Sequence, residues 1–146
     1  MYVDRDACQL YALRGTQIDF KNKRDITDKI NSAVAHEVAQ IFYHRLRQKE
    51  DNLESRSIGE MVGKFFELDY LFRKNPRLGK QVFEQFREEA RSPFVGPHFI
   101  GSRFACKLLD RVKNPRQRRK IIALIARGNF ETPAQLEKFI SEQKNR

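Results

Sequence analysis

The chain has 146 residues, enough for one domain that buries roughly 70% of the surface its unfolded form exposes. Its 40% of hydrophobic residues, including 12 phenylalanines, exclude a disordered protein, and no apolar run approaches the roughly 20 residues of a membrane span. The net charge of +10 favours anionic partners and makes the position of that charge informative.

Apolar runs near the N-terminus predict a small β-hairpin. Residues 9–13 and 17–20 are short apolar segments on either side of Gly15, which would form the turn. We therefore assign residues 1–22 to a hairpin or arm that precedes the helical part of the chain.

The longest amphipathic pattern covers residues 25–47 and predicts the first helix, capped by Asp25. Its apolar side chains recur at helical spacing, so we expect them to face the core: Ile26, Ile30, Val34, Val38, Ile41, Phe42 and Leu46. A second helix is predicted over 57–74, because Ser57 and Glu60 have the spacing of a capping box.

Four further helices complete a mainly α domain, a single-domain bundle of about six helices that covers residues 1–146. Apolar spacing places the third helix over 78–91 and the fourth over 98–113, on either side of a loop rich in proline and glycine. Asn114 and Thr132 are each followed by proline, which predicts that they cap the fifth and sixth helices.

Positive charge is concentrated in the C-terminal part of the chain, residues 98–146. Between residues 103 and 120, eight basic residues accompany a single acid, Asp110. Arg103, Lys107 and Arg111 recur every four residues and therefore line one face of the fourth helix. Like charges at this spacing destabilise a helix, which favours an anionic partner over a face that merely contacts water.

The basic residues predict a non-enzymatic nucleic-acid-binding protein that contacts the phosphate backbone of DNA or RNA. The corner between the fourth and fifth helices would bring the two groups of cations together as one bent basic helical surface. The predicted nucleic-acid-binding residues are Arg103, Lys107, Arg111, Lys113, Arg116, Arg118, Arg119, Lys120 and Arg127. Among them, Arg116, Arg118 and Arg119 are expected to bind phosphates with two hydrogen bonds each.

Two other classes of function remain open. The segment 50–69 has six acids and two bases, so the molecule is expected to be electrostatically two-sided. The chain would then be a helical protein-protein interaction or adaptor module, whose basic patch docks an acidic partner or the acidic segment of a second copy. An enzyme with a site assembled from residues far apart in the sequence is the third class.

The segment from Arg116 to Leu136 fits the pattern R-Q-x-x-x-I-x-x-L-I-x-x-G-x-x-x-T-x-x-x-L. This pattern resembles the first two helices of winged-helix DNA-binding domains, such as those of arginine-repressor-type regulators. The resemblance implies DNA binding. Those domains add a recognition helix and a wing, whereas only six residues follow Ile140 in this sequence. If the protein inserts a helix into a groove of DNA, we therefore expect that helix to be the fourth or the sixth.

Patterns typical of metal sites are incomplete. His36 and Glu37 begin an H-E-x-x-H pattern, but Gln40 stands in place of the second histidine. His44 lies roughly 12 Å further along the same helix, too far to share a zinc ion. We therefore expect no catalytic residue, no metal and no cofactor, and we interpret Gly59-x-x-x-Gly63 as a site of close helix packing.

Cysteine usage predicts a reducing, cytoplasmic setting, and the lack of a long apolar run predicts no membrane partner. Cys8 and Cys106 lack the C-x-x-C spacing of redox or metal sites, and the helical core does not depend on a disulfide. Periodicity leaves the exposure of Cys106 open. Phe94 and Phe99 flank the Pro/Gly loop and are predicted to belong to the core, because phenylalanine at helical spacing usually does.

Overall fold

The computed structural model describes residues 18–47, 52–127, 130 and 132–143. Its regular secondary structure within these ranges is entirely helical, which confirms the predicted helical bundle. The six helices are α1 (Lys23–Arg47), α2 (Leu53–Lys74), α3 (Pro76–Arg91), α4 (Pro97–Arg111), α5 (Pro115–Arg127) and α6 (Pro133–Glu142). The predicted N-terminal hairpin falls mostly outside the described residues, and residues 18–20 form no strand. In the described part of the chain, no helix is both long enough and apolar enough to cross a membrane.

The α2 helix begins one turn before the predicted capping box. Asn52 is the N-cap, and its side-chain oxygen accepts a hydrogen bond from Ser55 N at 2.8 Å. Ser57 lies inside the helix, where its hydroxyl donates to Leu53 O at 2.7 Å. The prediction that Ser57 begins the helix was wrong, because Asn52 satisfies the first-turn donors of an earlier start.

The predicted caps of the last two helices are confirmed. Asn114 Oδ1 accepts hydrogen bonds from Arg116 N at 2.9 Å and Gln117 N at 3.3 Å. Thr132 Oγ1 accepts from Gln135 N at 3.3 Å. In each case proline occupies the first helical position, where the missing N–H group leaves no intrahelical bond unmade.

The central helix is α2, which contacts each of the other five helices. Its buried residues belong to two apolar clusters. The first cluster joins Ile58 and Met61 to α1, α4, α5 and α6, and the second joins Leu68 and Leu71 to α3 and α4. Full burial of one such side chain contributes roughly 1.5–3 kcal/mol, so these two clusters supply most of the apolar stabilisation of the described bundle.

Close helix approaches occur where α2 has glycine. A Cβ atom on Gly63 would lie 2.6 Å from His36 Cδ2, and one on Gly59 would lie 2.8 Å from His44 Nε2. The two glycines therefore give α1 room to pack its histidines against α2. The interpretation of Gly59-x-x-x-Gly63 as a packing site is confirmed.

The tightest backbone approach lies between α4 and α2. A Cβ atom on Gly101 would lie 2.6 Å from Glu60 Cβ and 3.0 Å from Met61 N, neither of which is the free end of a flexible side chain. We expect Gly101→Ala to lower the free energy of unfolding by about 2 kcal/mol, because α4 must move away from α2.

Chemical denaturation of Gly101→Ala and Gly79→Ala tests this expectation. A Cβ atom on Gly79 would meet its nearest atoms at 3.1–3.3 Å, so small shifts accommodate it and the higher helix propensity of alanine offsets part of the strain. Equal stability of the Gly101→Ala variant and the wild type would contradict the proposed close contact.

The α1 helix buries the face opposite to the one predicted. It buries the polar side chains of Asp25, Ser32 and His36, while Val34 is 55% exposed and Phe42 is 61% exposed. The prediction that this apolar stripe faces the core was wrong for every member with a described side chain, that is, all except Leu46. The reason lies in α2, which presents charged side chains to α1 and selects its polar face.

Candidate nucleic-acid interface

A sharp corner joins α4 to α5 and brings their basic residues together. The last turn of α4 closes with a hydrogen bond from Val112 N to Leu108 O at 2.9 Å, and Asn114 caps α5 two residues later. Ile121, Ile122 and Ile125 then hold the opposite side of α5 in the core. The sequence therefore fixes both the corner and the face of α5 that meets solvent.

Arg118 stabilises this corner from inside. Its guanidinium donates to Leu109 O at 3.1 Å and also to Val112 O, two carbonyls at the end of α4. The side chain is half-buried, and this burial lowers the pKa of its guanidinium. Arg118 thus caps α4, and its guanidinium is occupied by backbone carbonyls of its own chain.

The predicted row of cations on α4 is present, but its members contact acceptors of the same chain. Arg103 Nη2 lies 2.5 Å from both Ser92 O and Phe94 O, in the α3–α4 loop. Lys107 Nζ pairs with Glu137 Oε1 of α6 at 2.5 Å. The guanidinium of Arg111 donates to carbonyls at the end of α6. These three residues hold the α3–α4 loop and α6 against α4.

Six of the nine predicted residues are exposed, and one of them, Arg111, donates to the carbonyls at the end of α6. We call the other five the α5 basic surface: Lys113, Arg116, Arg119, Lys120 and Arg127. No acidic residue occurs between Lys113 and Arg127. Arg119 Nε lies 3.3 Å from Asp69 Oδ1 with half of its side chain exposed, and Lys113 Nζ is 3.9 Å from Asp110 Oδ1. The other three have no ion-pair partner within the described ranges.

The local electrostatics of this surface disfavour the isolated helix. Cations in the first turn of a helix oppose the positive end of its dipole. Arg116 and Lys120 are also four residues apart, a spacing at which like charges repel. An anion bound at this surface would reduce both the unfavourable interaction with the helix dipole and the repulsion between Arg116 and Lys120.

A cleft of about 310 Å³ adjoins this surface. Its apolar wall comes from side chains of α2 and α4, among them Phe65, Phe72 and Leu109, and Pro115 of α5 also lines it. Arg119 and Arg73 lie at the same cleft together with Asp69. Apolar surface and guanidinium groups are therefore adjacent at the start of α5.

Two acids in the described part of the acidic segment are engaged within the chain. Glu67 pairs with Lys29 Nζ at 2.7 Å and with His36 Nδ1 at 3.0 Å, and Asp69 pairs with Arg73 and Arg119. The expectation of a two-sided molecule is thus corrected for these acids, because cations of α1, α2 and α5 pair with them. Glu50 and Asp51 lie outside the described residues.

A polar network occupies the space between α1, α2, α3 and α4. His36 Nε2 and His98 Nδ1 lie 3.4 Å and 3.3 Å from Glu60 Oε2. The ammonium group of Lys64, which has no exposed surface, lies 2.9 Å from Glu89 Oε2 and 2.9 Å from His98 Nε2. Sequence analysis missed this network. The signal that could have indicated it is the helical spacing of Glu60, Lys64 and Glu67, which places three charged side chains on one face of α2.

The described residues do not group into a metal site, and Cys106 is buried. Within the described ranges, no group of three or more His, Cys, Asp and Glu side chains has a geometry that could hold a metal ion. Cys106 is a free thiol in the second apolar cluster, and burial raises its pKa to about 12. Phe99 is fully buried and packs against Phe94 at 5.2 Å between ring centroids, which confirms that Phe99 belongs to the core.

Comparisons with known proteins give no further assignment. Neither a family model, nor a curated protein, nor a solved structure matches this chain. The geometry alone defines the candidate site: an all-helical bundle, over the described residues, with a cationic face centred on α5.

Proposed function

We propose that this protein binds the phosphate backbone of DNA or RNA through the α5 basic surface, without catalysing a reaction. The observation that carries the proposal is the set of exposed cations from Lys113 to Arg127, a segment without any acid. Each neutralised phosphate releases condensed counterions and contributes to affinity in a salt-dependent way.

Each residue of the predicted interface has a distinct role in this proposal. Arg116 and Arg119 bind phosphate oxygens with paired hydrogen bonds, while the lysines act as point charges. Arg116 and Lys120 lie about 6 Å apart along the helix axis. The other four predicted residues are positioning residues, which hold the corner, the α3–α4 loop and α6 in place: Arg103, Lys107, Arg111 and Arg118.

The proposal includes a reducing, cytoplasmic setting. Cys106 is a free thiol surrounded by apolar side chains, and burial raises its pKa to about 12. A buried thiol of this kind packs as a small apolar side chain and gains nothing from an oxidising compartment.

Charge reversal on α5 tests the function. We expect Arg116→Glu/Lys120→Glu to lower the affinity for labelled nucleic acid at least tenfold, because two phosphate contacts are lost and two repulsions are added. Folding is expected to persist, since acidic residues near the start of a helix are favoured by its dipole. Fluorescence anisotropy with labelled single- and double-stranded DNA and RNA measures the affinity, and circular dichroism checks the fold.

The matched control is Lys23→Glu/Lys80→Glu, which changes the net charge equally at exposed positions on α1 and α3. If binding depends only on total charge, both double variants lose affinity alike and the proposed surface is refuted. If the wild type binds an acidic protein with weak salt dependence and binds no nucleic acid, the adaptor alternative replaces the proposal.

A further inference from the structure

The outward face of α1 is apolar and has no partner among the described residues. Between Ile26 and Phe42, ten residues are exposed and Glu37 is the only charged one. The large apolar side chains on this face are Ile26, Ile30, Val34, Val38, Ile41 and Phe42. Because 33% of the residues of the chain are charged, an exposed face with a single charge is unusual. A contiguous apolar face of this kind is typical of an interaction site.

The spacing of these residues is symmetric about Val34. Ile30 and Val38 lie four residues to either side of it, and Ile26 and Phe42 lie eight residues to either side. Residues four apart form one continuous ridge on a helix. If two such ridges meet about a two-fold axis beside Val34, Ile30 of each copy approaches Val38 of the other, and Ile26 approaches Phe42.

We infer that this face is the dimerisation surface of the protein and that its occupant is α1 of a second copy, in antiparallel orientation. Side chains of this size, each about half exposed, present on the order of 500 Å² in each copy. Two copies together bury on the order of 1,000 Å², which reaches the lower limit for a specific interface. Self-pairing requires one patch that is complementary to itself, and the pattern about Val34 meets that requirement.

The charges around the ridge are compatible with this pairing. Glu37 comes opposite the uncharged Asn31 of the other copy, so no like charges meet within the ridge. Arg24 and Arg45 lie ten and eleven residues from Val34, outside the ridge.

Sedimentation velocity of the full chain from about 1 to 100 µM, a range centred on micromolar affinity, tests this inference. The wild type is expected to be a dimer, and Val34→Glu is expected to weaken dimerisation at least 100-fold, because two carboxylates would meet at the two-fold axis. Val95→Glu is the matched control, since Val95 is 70% exposed in the α3–α4 loop and outside the ridge. It is expected to leave the dimer intact.

Oxidative cross-linking tests the register. In a Cys8→Ser background, Val34→Cys is expected to form a disulfide between copies, because the two positions adjoin the axis. Thr27→Cys is expected to form none, since it lies seven residues from the axis in each copy.

Three results would overturn the inference: a monomer at every concentration, a dimer that tolerates Val34→Glu, or efficient cross-linking at Thr27→Cys alone. A monomer whose thermal midpoint falls in Val34→Glu would show that residues of the same chain, such as 1–17, cover the face instead. None of these results bears on nucleic-acid binding by α5.

Discussion

Lys64→Met is expected to lower the free energy of unfolding by about 3–5 kcal/mol. The ammonium group of Lys64 has no exposed surface and lies 2.9 Å from Glu89 Oε2 and 4.2 Å from the centroid of the Phe86 ring. Methionine fills a similar volume but removes one cation from the Glu89 carboxylate, which keeps only His98 and the Ser102 hydroxyl as partners. The loss therefore comes from a broken buried ion pair rather than from a cavity.

Lys29→Met provides the matched control for this experiment. Lys29 pairs with Glu67 at 2.7 Å in the same network, but a quarter of its side chain is exposed and water replaces part of the interaction. We expect its loss to lower stability by only about 1 kcal/mol. Urea denaturation of both variants gives the comparison, and a Lys64→Met variant as stable as the wild type would show that Glu89 is satisfied without the lysine.

The second large effect is a dependence of stability on pH. Burial acts to lower the pKa of His36, but the hydrogen bonds that its ring donates to the carboxylates of Glu60 and Glu67 outweigh burial and raise the pKa to about 9. Protonated His36 therefore stabilises the fold fully below its ordinary pKa of 6.5, and this stabilisation is lost as the pH rises to about 9. The contribution is on the order of 3 kcal/mol.

The acids of the network give the opposite dependence at low pH. Burial acts to raise the pKa values of Glu67 and Glu89, but His36 and His98 contribute to holding each at about 2. Their stabilisation is present above the ordinary value of 4.5 and is lost as the pH falls toward 2. The thermal midpoint is therefore expected to be highest between about pH 4.5 and 6.5.

Thermal unfolding followed by circular dichroism from about pH 3 to 10 checks this profile. In the His36→Gln variant, the decline above pH 6.5 is expected to become smaller while the acidic decline persists. Part of the alkaline decline remains, because burial acts to lower the pKa of His98 but its hydrogen bonds to Glu60 and Glu89 raise it. A wild-type midpoint that stays constant from pH 6 to 9 would contradict the assignment of a charged His36 in the folded protein.

Local chemistry made the starts of α5 and α6 predictable, whereas burial depended on distant residues. The predicted cap Asp25 was wrong, because α1 begins at Lys23 and Asn22 Oδ1 accepts the hydrogen bond from Asp25 N. Asn114 and Thr132 cap their helices by contacts within three residues, so the sequence alone identifies them. Both faces of α1 have helical periodicity, and the buried face is selected by Glu60 and Glu67, more than 20 residues away.

The candidate interface was predictable as a concentration of charge but not in its details. Arg118 and Arg119 are adjacent in sequence, yet Arg118 contacts two carbonyls of the α4 corner and Arg119 meets solvent. The acceptors of Arg103 and Arg111 are backbone carbonyls at the ends of other helices, whose positions follow only from the packed structure. The sequence therefore predicted that the surface carries positive charge, and packing determined which residues form that surface.

The most direct test of the proposed function is the salt dependence of nucleic-acid binding by the wild type, followed by anisotropy of labelled strands. Five exposed cations predict that log affinity falls with log salt at a slope of about −3.5 for single strands and about −4.5 for duplexes. The Arg116→Glu/Lys120→Glu variant is expected to reduce this slope by about 2. Absence of binding at about 50 mM salt, or a slope close to zero, would contradict phosphate recognition by the α5 basic surface.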